Sequence, residues 1–454
     1  MEFKQINRLD QLYGCKLFLT KNELQDLKKT AFYQSQNRFI EITKPIKSDI
    51  CQRCFNKIKI NWKYPKNGIK YCWYCKDMGT IRSNDYLVII KDPKQYLDNS
   101  KINWKGQLTL QQQKIANEQL IAWERKLNHL TYAVTGSGKT EILYPLINQV
   151  LLEKGRIALV APRVDVVIEL SQRIKKYFNG SMTVLHGEEH EIKYTQLLIC
   201  TVQQLMKFHQ TFDLIVVDEV DAFPLRNNKA LEKVIEEAKR PQGVKYYLTA
   251  TPSINLLRRV KHTNWKLSFL ANRFHGYPLP IIQIYISPKW RKKLPIKIEK
   301  QLSKYQKNKR CFLIFVPQIE DLNLVKAMMP KSLSVATVYS KHPERSNNIK
   351  KLRSREINGL ITTTILERGV TFSALDVYIL GGDEVVFTYE TILQIAGRCG
   401  RDAEYPNGNV WIFTADITLR MLRAKKEIQW LNSWRDHQSE LGNLQKTNFT
   451  DMEC

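Results

Sequence analysis

After residue 128, short apolar runs alternate with longer stretches whose apolar residues recur three and four positions apart. His129–Ala133, Arg156–Ala161, Met182–Leu185, Leu197–Thr201 and Asp213–Val217 read as strands, and Tyr247–Ser253 ends another. Glu141–Leu152 and Val164–Tyr177 read as helices. Pro145 fits the first of these only near its first turn. Strand–helix alternation predicts an α/β fold, a parallel sheet with helices on both faces. The pattern is lost over 272–290, where an interdomain linker is expected, and resumes beyond it. Arg310–Val316, Leu333–Val338, Gly359–Thr364 and Val377–Leu380 are expected strands, and Ile319–Met329 and His342–Ile357 helices. Residues 1–50 are mixed, with one helix expected at Asn22–Gln34. The organisation predicted is an N-terminal region 1–104 with a small module at about 48–80, a first α/β domain 105–272, a second 273–415 and a helical tail 416–454. No apolar run approaches the ~18 residues of a membrane span, and the first residues lack the apolar core of a signal peptide, so a cytoplasmic protein is expected.

The segment Ala133-Val-Thr-Gly-Ser-Gly-Lys-Thr140 sits between the first strand and helix, the context a phosphate-binding loop requires. Gly136 and Gly138 let the backbone turn its N–H groups inward, and the helix N-terminus adds partial positive charge. Lys139 can reach the β- and γ-phosphates of ATP, and the Thr140 hydroxyl can ligate Mg²⁺. Ala133 stands where the motif usually has its first glycine; that position only starts the turn. Gln112, some twenty residues upstream in Leu-Thr-x-x-Gln, has an amide able to read an adenine edge, as do its neighbours Gln111 and Gln113. Asp218-Glu-Val-Asp221 follows an apolar strand directly, and in such sheets ligands bind at the carboxyl ends of strands. Asp218 can hold Mg²⁺ and Glu219 can polarise the attacking water. In the second region Arg398 and Arg401, three apart on one helix face or turn, can act as arginine fingers on a γ-phosphate.

Two features add to this picture. Net charge is +27, from 71 basic against 44 acidic residues, which points to a polyanionic partner. Of nine cysteines, four form the pairs Cys51-Gln-Arg-Cys54 and Cys72-Trp-Tyr-Cys75, seventeen residues apart. This spacing suits a closed, structural Zn²⁺ site. Between Cys51 and Lys76 lie seven basic residues (Arg53, Lys57, Lys59, Lys63, Lys66, Lys70 and Lys76) and no acidic one, interleaved with Trp62, Tyr64, Tyr71, Trp73 and Tyr74. Cations and flat rings together make a single-strand-binding surface. Trp73 and Tyr74 serve equally well as the small core of a zinc ribbon.

These segments, in this order, resemble the superfamily 2 helicases and translocases over about residues 105–415: AVTGSGKT at 133–140, APR at 161–163, DEVD at 218–221, TAT at 249–251, TTTILERG at 362–369 and QIAGRCGR at 394–401. The resemblance implies two RecA-like parallel-sheet domains in tandem, ATP with Mg²⁺, and a nucleic-acid strand touched by Arg163, Thr201 and Thr363. It assigns Thr135, Ser137 and Gly369 to ATP binding and Gln394 to the catalytic group. A four-cysteine module ahead of the helicase core, with DEVDAFP after the phosphate loop, is similar to the ComFA family, late-competence ATPases of Gram-positive bacteria. That similarity implies single-stranded DNA as a partner, together with competence proteins that include a membrane DNA channel; Lys63 and Trp62, from the cation–ring surface above, are expected to touch the strand. It also implies work at the inner face of the cell membrane; self-association into a homo-oligomer is a further expectation. The replication-restart helicase PriA also binds zinc, but through cysteines in its second helicase half. An RNA helicase and an ATP-switched DNA-binding scaffold are the remaining alternatives.

Overall fold

The structure, a computed structural model, describes residues 8–64, 68–96, 99–187, 189, 191–305 and 310–436. Lys66 and the tail beyond residue 436 lie outside the described residues. Two compact units are present. One holds the described residues through Tyr132 together with Lys139–Phe269; the other holds Ala133–Gly138 and the described residues from Leu270 onward.

The first unit is built on a seven-stranded sheet. Its strand order is Met182–Leu185, Leu197–Thr201, Ile157–Ala161, Phe212–Val217, Lys239–Thr249, Asn128–Ala133 and Trp265–Leu270. The pairings from Met182–Leu185 across to Asn128–Ala133 are all parallel. Fully buried strands such as Ile157–Ala161 and Leu197–Thr201 are continuous apolar runs because helices cover both faces. The helix Lys139–Leu152 begins two residues earlier than the periodicity predicts, so Pro145 falls in its second turn rather than its first. Burial of Leu143, Tyr144, Leu146 and Ile147 around the proline holds the helix together despite the lost hydrogen bond.

The N-terminal residues are not a separate body. A three-stranded antiparallel sheet of Lys16–Leu19, Tyr86–Ile90 and Ile40–Thr43 shares one apolar core with the large sheet. Leu17, Leu19, Val88 and Ile90 belong to the same cluster as Phe208, Phe212, Ile215 and Val217. Asp92 locks the seam: buried, it accepts from Arg156 at 3.2 Å, Arg240 at 2.9 Å and Tyr194 at 2.5 Å. The helix expected at Asn22–Gln34 is instead two, Lys21–Lys29 and Ala31–Gln36. Thr30 lies between them in extended backbone, ending one helix and capping the next through Tyr33 N.

The second unit carries a six-stranded, wholly parallel sheet. Its order is Ile282–Ile286, Val410–Thr414, Leu375–Leu380, Cys311–Phe315, Gly359–Thr362 and Val335–Val338. Ile282–Ile286 corrects the expected linker of 272–290: its Ile-Gln-Ile-Tyr-Ile alternation marks an edge strand. The helix expected at His342–Ile357 is shorter, Arg345–Arg353. Of the expected tail, the helix Leu419–Asp436 is described.

Candidate functional site

Lys139 and Thr140 open the helix Lys139–Leu152, and with Leu143, Val160, Leu170, Val216 and Asp218 they line one small pocket of the first unit. Asp218 lies just past the strand Phe212–Val217, its N–H donating to Val160 O at 2.8 Å. Its Oδ1 accepts from Glu219 N at 2.9 Å. Burial first, and then the Glu219 carboxylate, push the Asp218 carboxyl up to about 6, while Lys139 opposes the rise. An acid raised in this way is one that a cation would relieve. Glu219 is held at φ 52, a left-handed conformation that a non-glycine residue adopts at a cost and that concentrates at functional turns. Asp221 is buried and accepts from Thr249 at 2.5 Å and Thr251 at 2.6 Å, joining the DEVD and TAT turns. Thr140 Oγ1 accepts from Arg173 Nη1 at 3.2 Å, a neighbour that the sequence reading missed.

Gly136 and Gly138 have φ of 79 and 76, so the loop takes a left-handed conformation at both glycines. In the second unit, the loop's Thr135 lies against Gly397: a β-carbon there would stand 2.0 Å from Thr135 Oγ1. The QIAGRCGR segment therefore needs glycine at that point. Arg398 and Arg401 are not on a helix face. The helix Tyr389–Ala396 ends before them; Arg398 lies in the following turn and Arg401 directly after it. Arg398 is buried and donates through Nε to Glu367 O at 2.9 Å and through Nη1 to Val370 O. It thus ties this turn to the TTTILERG segment. Arg401 Nε donates to Gly397 O at 3.0 Å. Gln394 is buried, and Gly369 has φ 73.

Gln112 is buried and closes a capping box at the start of the helix Leu110–Glu124. Its Oε1 accepts from Thr109 N at 2.9 Å, so this oxygen serves the helix end. Of the expected nucleic-acid contacts, Arg163 precedes the helix Val164–Lys175, Thr363 precedes the turn Thr364–Glu367, and Thr201, at a strand end, is buried.

Cys51, Cys54, Cys72 and Cys75 meet in the first unit, all buried, with their sulfurs within 4.8 Å of one another. The separations of 3.8 Å for Cys51–Cys75, 3.6 Å for Cys54–Cys72 and 3.5 Å for Cys72–Cys75 suit a tetrahedron with Zn–S bonds of about 2.3 Å, whose edges are about 3.8 Å. The donor set therefore fits Zn²⁺ with no position left open. Arg53 is not part of a solvent-facing surface. It is 5% exposed and its guanidinium donates to Cys75 O at 2.6 Å, Met78 O at 2.7 Å and Gly79 O, pinning one knuckle to the other. Buried Lys16 lies beside the cysteines, donating to Gln52 O at 3.2 Å. Trp62 is half-buried against Tyr74 and the main core. Lys57, Lys59, Lys63, Lys76, Trp73 and Tyr74 are exposed, with Lys76 Nζ 3.9 Å from the Trp73 ring centre.

Comparison with known proteins gives the family. Residues 109–260 match the DEAD/DEAH box helicase family and residues 295–403 the helicase conserved C-terminal domain. The fold is that of solved helicases. Saccharomyces cerevisiae Dbp5, bound to RNA and ADP BeF3, superposes with a TM-score of 0.51 at 16% identity, covering 75% of this chain and 98% of that one. The Mycobacterium smegmatis helicase Lhr, bound to ssDNA and AMP-PNP, gives 0.53 at 14% identity over 72% and 50%. Together these make the chain a helicase-type ATPase of superfamily 2. Competence protein ComFA of Streptococcus pneumoniae is 34% identical over 398 residues, 84% of this chain and 90% of that protein. The Bacillus subtilis ComFA is 33% identical over 371 residues, 80% of each. Replication restart protein PriA of Rickettsia prowazekii matches only 34% of this chain, at 28% identity. At this identity and coverage, with a buried four-cysteine cluster ahead of two helicase sheets, the chain belongs to the ComFA family of competence proteins.

Proposed function

We propose that this chain is an ATP-driven translocase on single-stranded DNA that serves the uptake of transforming DNA in competence. ATP and Mg²⁺ supply the reaction's energy and its cation. In this reading Lys139 and the loop residues Thr135, Gly136, Ser137 and Gly138 hold the phosphates. Thr140 and Asp218 hold the cation, Glu219 directs water, and Arg398 and Arg401, with Gln394 and Gly369, complete the group from the second helicase half. For Thr140 to take a cation, its hydroxyl must turn a lone pair away from Arg173. The working parts follow the boundaries 1–104, 105–272, 273–415 and 416–454.

The exposed cation–aromatic face of the zinc module carries the DNA part of the proposal. Lys57, Lys59, Lys63 and Lys76 are exposed and Trp73 and Tyr74 about half-exposed, while the buried cysteines and half-buried Trp62 belong to the core shared with the large sheet. Trp73, 51% exposed, is not covered as a core ring would be. Single-stranded DNA has both the phosphates and the free base faces that such a surface takes. Arg163, Thr201 and Thr363 supply further backbone contacts, Thr201 after a small local opening. No helix among the described residues is long and apolar enough to cross a membrane. The net charge of +27 suits peripheral attachment at an anionic inner membrane face, beside a DNA channel and other competence proteins.

The test is the ATPase rate without polymer and with single-stranded DNA, duplex DNA or RNA at two salt concentrations, followed by streptavidin displacement from labelled DNA. Single-stranded DNA is expected to stimulate most, less so at high salt, and Lys139→Ala to abolish turnover. Stimulation by RNA alone, or turnover without displacement, would replace the translocase by an RNA helicase or an ATP-switched scaffold.

A further inference from the structure

Arg273 lies just after the strand Trp265–Leu270, in the stretch where the apolar alternation is lost. Its side chain is 3% exposed. Nη1 donates to Gly400 O, an oxygen that His275 Nε2 also approaches at 3.0 Å. Nε and Nη2 are buried and have no acceptor among the described residues. These two nitrogens form one edge of the guanidinium, the edge that grips two oxygens of one phosphate or carboxylate group.

The edge lies at the phosphate loop, within the second compact unit. Phe274 N donates to Gly136 O at 3.1 Å. A β-carbon on Gly136 would stand 3.8 Å from both Cγ and Nε of Arg273, and 3.8 Å from Cγ of Arg401. Burial first, and then the Arg401 charge, lower the Arg273 pKa to about 10, so Arg273 remains a cation at neutral pH. A buried cation with two unsatisfied donors beside a second cation is costly without an anion.

We propose that Arg273 is a nucleotide ligand: its Nε–Nη2 edge, with Arg401, takes a phosphate of the nucleoside triphosphate held by the loop at Gly136. The inference rests on the reading of residues 133–140 as the ATP site and adds to it a cation that none of the helicase segments named above contains. An arginine three residues beyond the strand would then join the start of the second unit to the nucleotide's charge.

Equilibrium binding of AMP-PNP and of ADP, with thermal melting of the nucleotide-free protein, tests this. Arg273→Gln is expected to bind AMP-PNP about 10- to 100-fold more weakly, the range for one charge-assisted contact pair, with a smaller loss for ADP. Its nucleotide-free melting temperature should not fall, because an unpaired buried charge has gone. Arg273→Met fills the same volume without charge, and either variant that folds decides the matter. Unchanged AMP-PNP affinity with a lower melting temperature would overturn the proposal and leave Arg273 as a prop for Gly400. Lys139→Ala is measured alongside. If it binds AMP-PNP normally, the reading of the ATP site fails; if it loses binding while Arg273→Gln keeps it, only the role of Arg273 fails.

Discussion

Thr249 donates its hydroxyl to Asp221 at 2.5 Å, joining the strand that ends in TAT to the turn that carries DEVD. Thr251 takes the other carboxylate oxygen at 2.6 Å, and all three residues are buried. The acidic turn is thus fixed to its neighbouring strand end by two charge-assisted bonds. Thr251→Val should leave one buried carboxylate oxygen short of a donor and cost about 1–3 kcal/mol of stability. Nucleotide binding at Lys139 should survive, while stimulation of ATPase by single-stranded DNA falls. Calorimetry and paired binding and turnover measurements check both parts; full stimulation in this variant would show that the two turns are not coupled through Asp221.

The four-cysteine cluster shares a core with the first helicase sheet, so removal of a bound metal should reach beyond the module. Stripping the protein with a zinc chelator should lower its melting temperature by several degrees, because metal binding energy is folding energy in sites of this kind. Arg53→Met should act in the same direction. It strips the donors from the carbonyls of Cys75, Met78 and Gly79, and metal analysis should show faster zinc loss to chelator. Zinc retention equal to that of the parent would mean that the knuckles hold together without this arginine.

His129 is wholly buried between Ser268 at 2.9 Å and Thr131 at 3.2 Å. Burial lowers its pKa from 6.5 to about 3. The unfolded chain therefore binds a proton that the folded chain refuses between those values, and stability drops as pH falls through that window. The loss is at most about 1.4 kcal/mol per pH unit from this residue. His129→Gln should flatten the decline between pH 6 and pH 4 in denaturant melts. An unchanged slope would place the acid sensitivity elsewhere.

On the four-cysteine module, charge and stacking should separate cleanly. Lys76→Ala should weaken single-stranded DNA binding and reduce the salt slope by about 0.7, the share of one phosphate contact. Trp73→Ala should weaken binding by about 1–3 kcal/mol with the slope unchanged. Both can be read from binding isotherms at several salt concentrations. If neither variant differs from the parent, this face is not where the strand lies.

The sequence by itself determined the strand–helix alternation, the phosphate loop, the DEVD turn and the paired cysteines. Each of these is local: a strand, a glycine turn or a knuckle is specified by residues within about a dozen positions. The apolar runs were enough to predict most strands to within two residues, because a strand buried on both faces leaves little room for polar residues. Only the tertiary structure decided where the charges went. Arg53 looked like a phosphate contact and is a buried clamp on the knuckles; Arg273 sat in a featureless stretch and lies against Gly136 and Gly400. For Arg398 and Arg401 a helix face and a turn were both open, and the structure decided against the helix face, since the helix stops at Ala396. The N-terminal sheet joined the helicase core through Asp92, Arg156 and Arg240, residues with no shared local pattern. An arginine's burial and partners depend on residues tens to hundreds of positions away, and neither hydropathy nor spacing encodes those distances.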